Sequence, residues 1–295
     1  MAIGRAVRGG TTLRADLAVL AVAMVWGASY PVAKSALFHA PVLLLIFYRF
    51  LTTATVMSAV AWCGLAAAPR RDVLAGAVLG AILFAIFLAE TWGIAFTTAT
   101  NTALIISLCT VITPFLDFGL AGRLPPLGVI LGAGVAIGGV AILAGGMSTP
   151  GGGDLLVLVA AVLRAVMVVS TRRLMDGRRL SSAALTAVQS VTVATLTLAA
   201  LLAQEAPSAL LVTAGSGFWG AVVFLSIFCT IGAFYVQNAA LRRTSPTRVS
   251  FLMGTEPLFG FALSWLLLAE PVTAVTLLGA GLIVGGTFWG LMSER

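Results

Sequence analysis

The sequence predicts an all-α polytopic membrane protein, with ten transmembrane helices arranged as a 5+5 inverted-topology repeat around a central cavity. Three observations carry that prediction. Ten apolar stretches follow one another along the chain, each of the ~20 residues that a helix rising ~1.5 Å per residue needs to cross ~30 Å of hydrocarbon. Cationic side chains collect at the termini and in every second loop. A single offset of 147 residues lays part of the first half on the second.

The spans read 14–37, 41–64, 73–96, 101–120, 126–146, 154–175, 181–203, 217–238, 247–269 and 272–292. The first follows Arg5, Arg8 and Arg14 as a signal peptide would. It is too long for the apolar core of one and lacks a small-residue cleavage site, so it stays as a spanning helix. The second follows a turn at Pro41. Of 17 Lys and Arg residues, 14 lie outside the spans or in their end turns on one side, at Arg5, Arg8, Arg14, Arg70, Arg71, Arg123, Arg172, Arg173, Arg178, Arg179, Arg242, Arg243, Arg248 and Arg295. The loops near 38–41, 97–100, 147–153, 204–216 and 270–271 hold none. Because cytoplasmic loops retain Lys and Arg, both termini are expected inside, in a bacterial inner membrane.

Composition agrees. Hydrophobic residues make up 60% of the chain and charged ones 9%, and mean hydropathy is +1.10, a balance that leaves too few polar groups for a water-facing surface. The net charge of +7 is topogenic arginine lying against anionic lipid, not a nucleic-acid footprint, since no aromatic-rich basic module accompanies it. Cys63, Cys109 and Cys229 fall inside spans at unrelated spacing and read as buried small apolar residues.

The 147-residue offset places Thr97 on Thr244, Thr100 on Thr247, Leu116 on Leu263 and Leu120 on Leu267. It also lays Leu131-Gly132-Ala133-Gly134 on Leu278-Gly279-Ala280-Gly281, and Gly138-Gly139 on Gly285-Gly286. Each half then holds five helices, an odd number, so the second copy enters the membrane from the opposite face. The charges match: loop 97–100 has no cation, while its counterpart carries Arg242, Arg243 and Arg248. Such a repeat puts a binding site at the interface between halves, near the bilayer midplane. The expected units are 1–146 and 154–295, joined by a flexible external Gly/Pro-rich linker at 147–153.

Gly128, Gly132, Gly134 and Gly138 on the fifth span, and Gly279, Gly281, Gly285 and Gly286 on the tenth, read as faces for close helix packing. Gly76 and Gly80 mark the third.

Six ionisable groups remain within or near the spans: Lys34, Arg49, Glu90, Asp117, Arg164 and Glu256. Each costs at least ~2.5–3.5 kcal/mol at a helix centre unless paired or hydrated. Lys34 and Asp117 are close enough to span ends to snorkel. Arg49, Arg164 and Glu256 are deeper, and the last two are candidate partners. Glu90 aligns with Gln237 under the offset, and Thr91 with Asn238, so a polar pair recurs at one depth and should face the shared interior. The competing reading is an interhelical hydrogen bond that supports packing alone.

Aromatic stripes supply the other half of a site. Trp26 and Tyr30 are four apart with Ser29 on the same face, Phe87 lies three before Glu90, and Tyr235 three before Asn238. Trp26 is too deep for an interfacial belt and is either packed core or cavity lining. The lone His39 is in a loop, and no ligand set for a metal accompanies it. The chain contains no HExxH, GxSxG or phosphate-loop motif, so neither an enzyme nor ATP hydrolysis is expected, and no cofactor is implied.

Several segments resemble the ten-helix drug/metabolite transporter superfamily, EamA type. They are Trp26-Gly27-Ala28-Ser29, Arg49-Phe50-Leu51, the run from Phe96 to Ile105 (FTTATNTALI), Ala240-Leu241-Arg242-Arg243-Thr244-Ser245-Pro246, Glu256-Pro257-Leu258-Phe259 and Leu266-Leu267-Leu268-Ala269-Glu270. Together they cover nearly the whole chain. The first half departs from the pattern: Cys109-Thr110 stands where Ser-Pro or Glu-Pro is usual, and Arg123 replaces the acidic residue matched by Glu270. The resemblance implies a basket of helices around a substrate cavity, and the chain is most similar to the YddG-like aromatic amino-acid exporters.

The expected function is secondary transport, exporting aromatic or neutral amino acids or similar small metabolites by alternating access. The alternatives are a nucleotide-sugar or drug transporter of the same superfamily, or a membrane channel. The expected cavity lies between the first, third, fourth, sixth, eighth and ninth helices. Its candidate substrate-binding residues are Trp26, Tyr30, Glu90, Thr91, Asn101, Arg164, Tyr235, Asn238 and Glu256. Pro31, Pro114, Pro246 and Pro257 are read as interrupting helices and freeing carbonyls where gates bend. The expected partners are a small-molecule substrate and the lipid bilayer, with no nucleic acid; a monomer is possible and the oligomeric state is left open.

Overall fold

An apolar chain in lipid must satisfy its own backbone hydrogen bonds, and this one does so with helices throughout its described residues. The computed structural model describes residues 2–143, 151–204, 215–268 and 273–294. The first half contains α1 (Ala2–Gly27), α2 (Ser29–Ala36), α3 (Val42–Val60), α4 (Trp62–Ala66), α5 (Arg70–Phe96), α6 (Ala99–Ile106), α7 (Cys109–Gly119) and α8 (Leu127–Leu143). The second contains α9 (Gly152–Met175), α10 (Ser182–Gln204), α11 (Ser216–Ser226), a π-helix (Ile227–Gly232), α12 (Ala233–Leu241), α13 (Pro246–Met253), α14 (Glu256–Leu268) and α15 (Ala274–Ser293).

Eight stretches are long and apolar enough to cross a bilayer: Leu13–Ala36, Val42–Val60, Arg70–Phe96, Asn101–Gly119, Gly152–Met175, Ser182–Gln204, Ser216–Leu241 and Ala274–Ser293. The other two expected spans are present in shorter form. The fifth, α8, has 17 residues, at the lower limit for crossing. The ninth is divided into α13 and α14. Residues 147–150 of the expected linker, the loop at 205–214 and Ala269-Glu270 of the terminal motif lie outside the described residues.

The repeat is visible in the elements themselves. α13 begins and ends 147 residues after α6, and the starts of α7 and α14, and of α8 and α15, share that offset. Even the caps correspond. The Thr98 hydroxyl accepts the Asn101 backbone N–H at 3.0 Å, and the Ser245 hydroxyl accepts that of Arg248 at 3.0 Å, each stabilising its helix by ~1 kcal/mol.

The glycine faces show the inversion. A Cβ on Gly132 would lie 2.8 Å from the carbonyl oxygen of Gly286, and one on Gly139 would lie 2.6 Å from that of Gly279. Seven residues forward on α8 is thus seven residues back on α15, so the repeat-related helices pack antiparallel. Gly134, Gly138, Gly281 and Gly285 have nothing within 4 Å. Packing therefore uses half of each expected glycine set; the other half is on the far side of the helix. On α5, Gly80 packs against Thr192 and Gln189 of α10, where a Cβ would lie 2.6 Å from the Thr192 Cβ.

Proline acts differently at the four expected interruptions. Its ring clashes with the carbonyl four residues earlier, and Pro31 accordingly breaks the first span at Ala28, just after Gly27. Pro114 sits inside α7. Pro246 instead begins α13 at a position where no N–H is missed, and Pro257 is in the first turn of α14. The fourth and ninth spans break at 107–108 and 254–255, again 147 apart, where the Ser107 and Thr255 hydroxyls each donate to a carbonyl three residues back, both at 2.6 Å. Cys63 does not lie in a span as expected: it is exposed in the short α4 beyond α3, while Cys109 and Cys229 are buried.

Candidate functional site

Between the two five-helix units is a narrow slot of about 30 Å³, a gap between side chains and not an open chamber. Its walls are Trp26, Ser29 and Tyr30 from α1 and α2, Arg49 from α3, and Leu83, Ile86, Phe87 and Glu90 from α5. The second unit contributes Arg164, Met167 and Val168 from α9, and Phe234 and Gln237 from α12. The lining helices are thus the first, second, third, sixth and eighth spans. The fourth, expected here, does not line it, and the ninth backs it through Glu256.

One end is an ion-pair network. The Arg164 guanidinium meets Glu256 at 3.3 Å and donates to the Tyr30 hydroxyl at 3.2 Å, and that hydroxyl donates to the other Glu256 oxygen at 2.8 Å. Arg164 also lies 4.6 Å from the Trp26 ring centre. A charge pair this buried is held by its hydrogen bonds, and removing either partner would strand the other.

The second cation forms no ion pair with a carboxylate among the described residues. Arg49 Nε donates to the Thr230 hydroxyl at 2.7 Å, and its guanidinium lies 4.5 Å from the centre of the Phe87 ring. Thr230 belongs to the π-helix, whose wider turn lets its own hydroxyl donate five residues back to the Leu225 carbonyl at 2.8 Å. The π-turn also presents the Cys229 carbonyl to the Trp26 indole N–H at 2.8 Å. Two first-unit side chains that line the cavity are therefore positioned by one irregular turn of the second unit.

Glu90 is half-buried in the same wall, and among the described residues it makes no hydrogen bond or ion pair. Counting Arg49, Arg164, Glu90 and Glu256, the cavity is electrically neutral overall, yet Arg49 and Glu90 face the same slot without an ion pair among the described residues. Its walls set aromatic rings beside Leu83, Ile86, Met167 and Val168: Trp26 and Phe234 have ring centres 5.4 Å apart and Phe87 and Phe234 6.1 Å, with buried Phe50 4.7 Å from Phe87.

Of the nine residues expected to bind substrate, the structure brings together Trp26, Tyr30, Glu90, Arg164 and Glu256. Thr91 is buried beside Glu90 but does not line the slot. Asn238 points elsewhere, donating to the Thr186 hydroxyl at 3.1 Å and the Gln189 carbonyl oxygen at 3.0 Å. Tyr235 is 46% exposed on the outer face of α12. Asn101 is at the end of the molecule away from the arginine loops, donating to Asp154 at 3.1 Å beside Thr97, which donates to the same carboxylate oxygen at 2.5 Å. Lys34 does not snorkel outward: its ammonium donates to the Ile94 and Thr97 carbonyls at 2.6 and 2.8 Å, a cation on the negative end of the α5 dipole.

Arg49 and Phe234 complete the site and were not among those nine. The signal for Phe234 was available, since the 147-residue offset that maps Glu90 on Gln237 maps Phe87 on Phe234. Spacing from Asn238 selected its neighbour Tyr235 instead.

With this geometry in view, comparison with known proteins is informative. Residues 13–145 and 151–292 each match the model of the EamA-like transporter family. No curated protein matches the chain in sequence. A solved structure described as "Crystal structure of protein" superposes with a TM-score of 0.78 at 20% identity, covering 96% of this chain and 98% of its own. At that identity it supports the fold alone.

Proposed function

Because the chain belongs to the EamA-like transporter family, we propose that it exports neutral or aromatic amino acids by alternating access, as the YddG-like exporters it resembles do. The observation that carries this reading is the pair of charges, Arg49 and Glu90, that face one slot with aromatic walls without an ion pair among the described residues. A zwitterion supplies a partner for each: its carboxylate for Arg49, its ammonium for Glu90. Its side chain then lies against Trp26, Phe87 and Phe234, where burial of an aromatic ring supplies most of the affinity.

A phosphate ester fits less well. A dianion in low dielectric calls for clustered guanidinium groups, and here one of the two is already committed to Glu256. A nucleotide sugar or a drug remains the second reading, favoured by the aromatic walls alone. For a channel, an inverted repeat closing on a narrow slot is the wrong architecture.

The orientation follows from the arginines: termini and arginine loops in the cytoplasm of a bacterial cell, with the units 1–146 and 154–295 joined on the outer face. The cavity is complete within one chain, so a monomer suffices. Counterflow in proteoliposomes against amino acids, nucleotide sugars and drugs is the test. Saturable exchange of aromatic amino acids is expected; exchange of nucleotide sugars or drugs alone would replace this reading.

A further inference from the structure

A second pocket, of about 130 Å³, lies on the arginine-bearing side between the ends of α9 and α12. It begins where the central slot ends. Val168 and Gln237 line the slot, and Thr171, one turn on along α9, and Asn238 line this pocket. Its polar walls are dominated by Arg172, Arg178 and Arg242, with Asp176 as the one carboxylate among the described lining residues.

The three guanidinium groups are not equally satisfied. Arg178 is paired with Asp72 at 3.0 Å. Among the described residues Arg172 donates to backbone alone, the Leu241 and Arg242 carbonyls at 3.2 and 3.0 Å. Arg242 donates to the Leu180 carbonyl through one terminal nitrogen, while its Nε is buried with no partner. Burial lowers the Arg242 pKa from its ordinary value, and no neighbouring carboxylate raises it again. Arg71 lies beside Asp72, which also accepts the Arg179 backbone N–H, and adds to the positive field. The Arg242 Nε–H is enclosed and leaves the guanidinium short of one hydrogen bond, so among the described residues the pocket-facing charge of Arg242 is balanced only by a carbonyl.

We infer that this pocket is a binding site for an oxyanion, the phosphate or carboxylate group of its ligand, held by Arg172 and Arg242. Carbonyl acceptors fix both side chains from behind without neutralising them, so their charge is available to a ligand that brings its own. Asp176 opposes that ligand and moderates its affinity. The chemistry fits two sources, the headgroup of an anionic lipid or a free solute anion on its way to the slot above. The inference does not depend on what the central cavity carries.

The two sources separate experimentally in the full-length protein. Thermal unfolding in lipid-free detergent is followed against inorganic phosphate, and retention of phosphatidylglycerol is followed by native mass spectrometry after release from nanodiscs. Saturable stabilisation by phosphate assigns a free anion; lipid retention without it assigns a headgroup. In either case Arg172→Gln and Arg242→Gln should weaken the apparent affinity by about tenfold, while Arg173→Gln, outside the pocket, should not. Asp176→Asn should tighten it by about two- to fivefold, a gain that a damaged fold cannot produce. The inference is overturned if neither ligand binds saturably, if Arg173→Gln is as harmful as Arg242→Gln, or if Asp176→Asn has no effect.

Discussion

Asp16 and Asp154 open the first and sixth spans, and each is held by the same position of the opposite unit. Arg248 grips Asp16 with Nε at 2.8 Å and a terminal nitrogen at 2.5 Å. Asn101, which lies 147 residues before Arg248, donates to Asp154 at 3.1 Å. The two clasps are at opposite ends of the molecule, as an inverted repeat demands. One is a bidentate ion pair and the other two neutral donors, the Asn101 amide and the Thr97 hydroxyl, on a carboxylate. Ten residues along from each aspartate lie Trp26 and Arg164, which meet 4.6 Å apart in the cavity wall.

The unequal clasps predict unequal gates. Both are hydrogen bonds to a charged group, worth ~1.5–3 kcal/mol, but only the bidentate pair also brings two opposite charges together. Asp16→Asn should therefore favour opening on the arginine-bearing side by about tenfold, and Asp154→Asn opening on the other side by less. A cysteine at Gln237 in a Cys63→Ser background, labelled from each side with an impermeant maleimide, measures both. Equal labelling changes would remove the asymmetry.

The glycine contacts predict a split in stability along one helix. Gly139→Val places side-chain atoms into the backbone of α15 and should cost ~1–3 kcal/mol or more, seen as a fall of several degrees in Tm. Gly138→Ala, next to it but facing open space, should change stability by less than ~0.5 kcal/mol.

Thr230 should act through Arg49. Thr230→Val keeps the shape but removes the acceptor that fixes Arg49 Nε, so KM for a carboxylate-bearing substrate should rise about tenfold, as expected for a hydrogen bond to a charge. Thr230→Ser should restore it. An unchanged KM in Thr230→Val, with transport intact, would show that Arg49 needs no such support.

The frame was legible in the sequence because lipid leaves few choices. Span lengths, arginine-rich loops and the 147-residue offset set the helix count and the inversion. The deep ionisable residues were legible too, since their cost in hydrocarbon marks Glu90, Arg164 and Glu256 as belonging to an interior. What could not be read was which way a helix face turns. The π-helix at Ile227–Gly232 adds a wide turn to the eighth span, and no residue pattern announces it; it brings Thr230 to Arg49. Phe234 lies beyond that turn, yet the repeat offset marks it and spacing does not. Asn101 misled for a different reason. Its polarity signals a partner, and that partner is Asp154, whose position at the start of α9 is a matter of tertiary packing.

The account rests on Arg49 and Glu90 receiving the two charges of one zwitterion. Calorimetric titration of purified protein with phenylalanine, 3-phenylpropanoate and phenethylamine tests this most directly, repeated in Glu90→Gln. The account predicts saturable binding of phenylalanine, with each analogue at least about tenfold weaker because one buried charge is then left unmatched. It also predicts that Glu90→Gln erases the preference for phenylalanine over 3-phenylpropanoate alone. If 3-phenylpropanoate binds wild-type protein as tightly as phenylalanine, or if Glu90→Gln leaves that preference intact, Glu90 does not receive the ammonium and the account is contradicted.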